Sequence, residues 1–330
     1  MTTGVKAWLL DEFKGIEHLR LSEVPEPTPQ RDEVVVQLRY AALNPADRYL
    51  AEGQYPAKPP LPHILGRDGM GMVAQTGPGV AQVRVGDRRA ILRGAVGVER
   101  AGTFAERVVV PVQDLVEVPA AWSEEESAGA TLVYLTAYQA LTQWGTLALG
   151  SVVLVTGASG GVGVATVQLA AAMGHTVLGL SRNAEKGRRV RELGATAVFN
   201  PEDTLWRQSV KVALAPRPVD LAIDNIGGKL FPQVLETLGE QGKVSVVGRL
   251  AGPVPEFNTA ALLFRRLRIG GVAVGAYTNT ESRAAWQQVL ALLASRGARP
   301  LVDRVFGFEQ LPQAFERLAQ GPMGKVVVKI

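Results

Sequence analysis

Seven residues constrain this chain more than any others. Gly157-Ala-Ser-Gly-Gly-Val-Gly163 follows a β-type run at residues 152–156 and leads into a helical pattern at 162–173 that Gly174 closes. A strand that turns on glycines into a helix brings free backbone N–H groups and the positive end of the helix dipole to one point. Glycines there let the backbone approach phosphate oxygens. A glycine string alone says little, but in this strand–turn–helix context it reads as a pyrophosphate cradle. Ser159, Gly160, Gly161 and Val162 are the residues expected to hold it.

The cradle opens a longer series. Strand-like runs at 152–156, 176–180, 196–199, 219–224, 244–248 and 267–273 alternate with helical patterns at 162–173, 184–193, 204–214, 230–238 and 260–267. Strands apolar on both faces with crossover helices between them predict an α/β fold, a Rossmann-type doubly wound parallel sheet. Upstream the texture differs. Short β segments at 34–39, 71–75 and 107–110 are separated by turn chemistry at 25–29, 59–62, Gly77-Pro-Gly79 and Gly86-Asp87. That pattern predicts a partly open β-barrel. Beyond residue 276, a helix (282–295), a strand (301–305), a helix (309–320) and a last strand (326–330) exceed the six-strand unit and are expected to return to the barrel. The expected division is therefore 1–125, 126–272 and 273–330, in keeping with 330 residues at roughly 100–200 per domain.

The second strand of the series bears on which dinucleotide is bound. A site for NAD wants a carboxylate about 20 residues past the loop to accept the ribose 2′-hydroxyl. Here Ser181-Arg182-Asn183 stands in that place, Lys186 and Arg188 follow, and no acid precedes Glu185. Arg182 can instead pair with a 2′-phosphate through charge-assisted hydrogen bonds. Ser181, Arg182 and Lys186 are accordingly read as an NADPH-binding group; the alternative is a wet helix face, and Arg188 and Arg189 are read that way.

Absences narrow the chemistry. The chain has no cysteine, which excludes thiolate catalysis, disulfides and Cys-ligated metals, and its three histidines, His18, His63 and His175, lie far apart. The net charge of +4 comes from basic residues interleaved with acids, without an aromatic-flanked basic stripe, so no nucleic-acid partner is expected. No apolar run approaches the ~20 residues of a membrane span, and the first residues lack the signal-peptide pattern. The expectation is a cytoplasmic protein without membrane or metal.

Several strings, in order, carry a family resemblance: Asn44-Pro-Ala-Asp47-Arg-Tyr49 with Gly53-Gln-Tyr55-Pro, Gly102-Thr-Phe-Ala-Glu-Arg-Val-Val-Val-Pro111, Thr136-Ala-Tyr138, the glycine loop itself, Asp224-Asn-Ile-Gly-Gly228, and Gly324-Lys325-Val-Val-Val. The chain resembles the zinc-free, quinone oxidoreductase-like branch of the medium-chain dehydrogenase/reductase superfamily over nearly its whole length. The resemblance implies a GroES-like β-barrel catalytic domain beside the nucleotide domain, an active site in the cleft between them, and a homodimer formed edge to edge through the last Rossmann strand. Zinc members carry Cys where Asn44 stands and Gly-His-Glu where Gly66-Arg67-Asp68 stands, and the four-cysteine lobe is missing around residues 93–102. Metal ligands are therefore expected to be none. The glycine string also fits the short-chain dehydrogenases, but those need a Tyr with Lys four residues on, and no tyrosine here has one.

By the same resemblance, Asn44, Tyr49 and Tyr55 are the candidate catalytic residues. Hydride from NADPH would attack a quinone or the β-carbon of an enone, and a Tyr hydroxyl or the Asn44 amide would stabilise the oxygen that becomes negative. Tyr55 is the expected proton donor; ordinary barrel packing is the other reading of Tyr49 and Tyr55. Thr136, Asn225, Gly248 and Lys325 join the expected cofactor residues. Asp47 is expected to cap the helix beside it, and Arg67 is either a cation facing the substrate or the ion-pair partner of Asp68. Loops at 250–255 and 274–280 would shape the substrate pocket. Two activities stay open beside quinone or enone reduction: an enoyl-thioester reductase, and a non-catalytic NADPH-binding protein of the crystallin or RNA-binding kind.

Overall fold

In the computed structural model, which describes residues 4–92, 94–253 and 256–330, strand, glycine turn and helix follow one another as Val152–Val155, the loop and Gly161–Ala172. Of the residues discussed above, Arg93 and the loop residues Val254 and Pro255 lie outside the described ones, as do Met1–Thr3. The chain divides into two units: residues 1–132, 277–283 and 299–330, and residues 133–276 with 284–298.

Among the described residues, the second unit holds a six-stranded parallel sheet. Its spatial order is Ala197–Phe199, Thr176–Leu180, Val152–Val155, Val219–Asp224, Leu238–Val246, Arg268–Gly271. The order reverses at Val152–Val155, so the glycine loop and the end of Val219–Asp224 sit side by side at the switch point where such sheets bind ligands. Strands and helices bury one apolar core that includes Leu154, Leu178, Trp206, Ala222 and Val244. The fifth strand starts six residues earlier than the 244–248 expected. Its first half is polar, and Gln241 takes a left-handed conformation, φ 59°, so it carries no alternating signal. Most of helix Asn279–Ser295 groups with this unit because its inward residues Trp286, Val289 and Leu293 are buried.

The first unit is the GroES-like barrel. Strand Glu33–Ala42 is its spine, pairing antiparallel with Asp68–Thr76, Arg107–Pro111 and Lys325–Lys329. The alternating Val34, Val36 and Leu38 bury one face against Val73, Ile91, Val108 and Val110. The other end packs Trp8, Leu10, Leu43, Leu50, Phe104 and Phe315. The C-terminal strand lies within this sheet, Val327 opposite Ala42 and the Leu43 N–H donating to the Val326 carbonyl at 3.0 Å. Three strand ends thereby meet: Ala42 and Asn44 on one, Asp68 opposite Ala42 on the next, Lys325 on the third. No described helix is long and apolar enough to cross a membrane.

Candidate active site

Where these strand ends meet, the side chains form a buried polar cluster. Lys325 is 4% exposed, and its ammonium donates to Asn44 Oδ1 at 2.7 Å and Asp68 Oδ2 at 2.9 Å. Asp68 Oδ2 also accepts from Asn44 Nδ2 at 3.0 Å, while its Oδ1 accepts from the Thr131 hydroxyl at 3.1 Å and the Leu132 N–H at 3.2 Å. The second N–H of the Asn44 amide points to the Ala42 carbonyl at 3.5 Å. A buried carboxylate is tolerated when it is paired and hydrogen-bonded, and both oxygens of Asp68 are.

Asn44 also begins helix Pro45–Ala51. The Asp47 carboxylate reaches back to the Asn44 N–H at 2.8 Å, closing the first turn as expected of a local cap. Asp47 is fully buried. Burial pushes its carboxyl up to about 6, against the pull of the Arg67 guanidinium, the Asn44 N–H and Lys325, with Asp68 adding to the rise.

Arg67 is the partner of Asp47, not of Asp68: its Nε lies 3.4 Å from Asp47 Oδ1. Of the two alternatives for Arg67, the ion pair with Asp68 is not formed. Arg67 and Asp68 are consecutive where the strand begins, so their side chains leave on opposite faces and cannot meet. Arg67 instead turns toward Tyr55. Its Nη1 donates to the phenol oxygen at 3.0 Å, and its guanidinium carbon lies 4.3 Å from the ring centroid.

Tyr55 reaches this position through the turn that ends the helix. Gly53 adopts φ +68°, which side-chain-bearing residues resist, and Lys58 donates to the carbonyls of Gly53 and, at 3.0 Å, Tyr55. Tyr55 is half-buried at the edge of the Trp8–Phe104 core. Tyr49 lies on the helix, half-buried as well. Of the three residues expected to be catalytic, the structure therefore ties Tyr55 to Arg67 and draws Asn44 into the Lys325–Asp68 cluster. Lys325, expected at the cofactor, has its ammonium engaged by that cluster.

In the second unit, Gly157 takes φ +57°, and a Cβ on Gly163 would fall 2.2 Å from the Gly157 carbonyl oxygen. Only glycine lets the helix start that close to the strand end. Gly160 is the N-cap, with no side chain to occupy the helix terminus, and a Cβ there would meet no heavy atom nearer than 3.5 Å. Room for an anion is thus left beside Ser159, Gly160, Gly161 and Val162.

The adjacent strand end is locked to the loop. Thr156 donates its hydroxyl to Asp224 at 2.7 Å, and Asp224 accepts from the Ile226 and Gly227 N–H groups at 3.1–3.2 Å. Asn225 Nδ2 donates to the Thr156 carbonyl at 2.8 Å, while its buried Oδ1 has no hydrogen-bond partner among the described residues and is an open acceptor. Gly248 is needed beside it, since a Cβ there would lie 2.7 Å from the Asn225 carbonyl. The buried carboxylate of Asp224 is the organiser that reading the motif residue by residue did not single out. Thr136 is buried on helix Thr131–Thr142 of this region of the chain.

At the far end of the second strand, Ser181 bonds the Asn183 carbonyl at 3.1 Å, and Asn183 caps the next helix by accepting from the Lys186 N–H at 2.9 Å. The Arg182 side chain is 75% exposed and 3.8 Å from Glu202, a solvated pair worth little and easily exchanged for a phosphate. The glycine cradle, the open Asn225 acceptor and the exposed Arg182 are a donor and acceptor set that fits a nicotinamide dinucleotide. The cluster in the barrel does not fit zinc. Its carboxylate is engaged on both oxygens, and the Lys325 ammonium already sits between Asn44 and Asp68.

Comparison with known proteins agrees with this architecture. Residues 161–295 match the family model described as zinc-binding dehydrogenase, and residues 30–120 that of the alcohol dehydrogenase GroES-like domain. The quinone oxidoreductase of Lama guanicoe is 31% identical over 99% of both chains. A solved NAD-dependent alcohol dehydrogenase superposes with TM-score 0.92 at 29% identity, covering 98% of this chain and 99% of its own. A mycobacterial protein solved with NADPH superposes with TM-score 0.89 at 26% identity, covering 99% of this chain and 100% of its own.

Proposed function

Because the chain belongs to the medium-chain dehydrogenase/reductase superfamily, with quinone oxidoreductases as its relatives, we propose that it is an NADPH-dependent, zinc-independent reductase of quinones or α,β-unsaturated carbonyls. The observation that carries the reading is the Lys325 ammonium held between Asn44 and Asp68, where zinc members place metal ligands. With that position filled by a cation that has no open coordination site, carbonyl polarisation falls to hydrogen-bond donors. Tyr55 is the donor in this reading, and Asn44, its amide spent on Asp68 and Lys325, serves as scaffold.

When bound, NADPH supplies a hydride to a quinone carbonyl carbon or to the β-carbon of an enone. The electron pair moves onto the substrate oxygen, and the Tyr55 hydroxyl stabilises that oxygen and delivers the proton that completes the two-electron reduction. Such donors contribute about 3–4 kcal/mol in oxyanion-type sites. Ser159, Gly160, Gly161 and Val162 bind the pyrophosphate, Ser181, Arg182 and Lys186 the 2′-phosphate end, and Asn225, Gly248 and Thr136 the nicotinamide end. A cytoplasmic homodimer through the edge strand Arg268–Gly271 is part of the proposal.

The test is NADPH carrying deuterium at C4, incubated with a panel of enones, quinones and enoyl thioesters. The reading expects chelator-insensitive oxidation and deuterium at the β-carbon of the reduced enone. A protein that binds NADPH and oxidises it with none of these acceptors is a binding protein, and the reading fails.

A further inference from the structure

Arg67 links the buried carboxylate of Asp47 to the phenol of Tyr55. Asp47 accepts from the Asn44 N–H at 2.8 Å and forms an ion pair with Arg67, whose Nε lies 3.4 Å from Oδ1. The guanidinium carbon lies over the Tyr55 ring, 4.3 Å from its centroid, with Nη1 donating to the hydroxyl oxygen at 3.0 Å. A cation over the ring and a hydrogen bond to its hydroxyl fix a phenol more tightly than either contact alone. An arginine can only donate, so the phenol accepts from it and keeps its own O–H free for another acceptor.

We propose that Arg67 is the residue that positions Tyr55 for proton donation. It holds the ring, occupies an acceptor site on the hydroxyl oxygen, and leaves the phenolate formed by donation beside a fixed positive charge. The Tyr55 O–H bond breaks, the proton goes to the reduced substrate, and solvent returns one to the phenolate. This rests on the reductase reading above and adds to it a residue that never touches substrate.

The test is a double-mutant cycle on kcat and KM with NADPH and an enone: Arg67→Gln, Tyr55→Phe and the pair together, with Arg67→Lys as the conservative variant. Arg67→Gln should lower kcat about tenfold, the range of one charge-assisted hydrogen bond, with a smaller change in the enone KM. Proton transfer then limits turnover, so the solvent deuterium isotope effect on kcat should rise. In the Tyr55→Phe background the same substitution should change kcat less than about twofold, the limit of additive noise. Arg67→Lys, which keeps the charge and loses the planar guanidinium, should recover part of the loss, and it carries the cycle if the Gln variant does not fold. Equal losses in both backgrounds of an active enzyme would overturn the proposal alone. A wild type inert toward every acceptor would overturn the reductase reading and the proposal with it.

Discussion

The ammonium of Lys325 lies 2.9 Å from a carboxylate oxygen of Asp68, and both side chains are buried. The two residues are 257 positions apart and meet because the last strand returns to the spine of the barrel. A buried pair of this kind is costly to break from one side, since the surviving charge has no partner. Lys325→Met should therefore destabilise the protein by about 3–5 kcal/mol, read from urea unfolding of the barrel, and removing both charges with Lys325→Met/Asp68→Leu should recover part of that loss. A single variant within about 0.5 kcal/mol of wild type would show that the pair is not holding the strand ends together.

The proposed preference for NADPH rests on Arg182, an exposed guanidinium 3.8 Å from Glu202 at the end of the second strand. Titration should show NADPH binding more tightly than NADH, and Arg182→Ala should weaken NADPH at least about tenfold while leaving NADH nearly unchanged, as for loss of one charge-assisted contact to phosphate. Equal or tighter NADH binding by the wild type contradicts the assignment.

What could be read from the amino-acid sequence was what local spacing encodes. The glycine loop declares itself because strand, turn and helix are contiguous, and Asp47 is legible as a cap because it stands three residues after Asn44. The strands of the doubly wound sheet are apolar runs of the right length, except Leu238–Val246, whose polar first half hides it. Asp68 offers itself as a partner for Arg67 because the two are adjacent in sequence, yet adjacency in an extended segment sends side chains apart. Lys325 reads as part of a closing motif, and nothing local tells that its partners are Asn44 and Asp68. The Arg67–Tyr55 contact depends on the turn at Gly53 and Lys58, a geometry that spacing does not specify.

The Asp47 carboxyl, pushed up to about 6 by burial from an ordinary 3.8, gives stability a specific pH dependence. Its folded value is raised, so between pH 3.8 and about 6 the native protein keeps a proton that the unfolded chain releases, and native stability declines as pH rises through that window. Relative to Asp47→Asn, which does not titrate, the wild type should lose on the order of 3 kcal/mol between pH 3.5 and pH 7. Unfolding free energies of the two proteins measured across that range provide the check; a constant difference would mean that Asp47 does not titrate as described.

Association is expected through the open edge of the six-stranded sheet. The edge strand Arg268–Gly271 is preceded by a helix whose Leu263 and Phe264 are 71% and 79% exposed. Sedimentation should give a dimer, and Leu263→Arg/Phe264→Glu should give a folded monomer that still binds NADPH. A wild-type monomer at micromolar concentration contradicts the edge-to-edge assembly.

The central claim is that the Tyr55 phenol, in a barrel whose would-be metal position is filled by Lys325, provides the proton for a nicotinamide-dependent reduction. The most direct measurement compares the wild type with Tyr55→Phe for turnover of an enone and for NADPH affinity. Loss of a group that acts when negative charge develops on the substrate oxygen should appear in kcat and not in cofactor binding. The account predicts that kcat falls at least about tenfold while the dissociation constant for NADPH stays within about twofold. An unchanged kcat in Tyr55→Phe, with every acceptor that the wild type reduces, would contradict it.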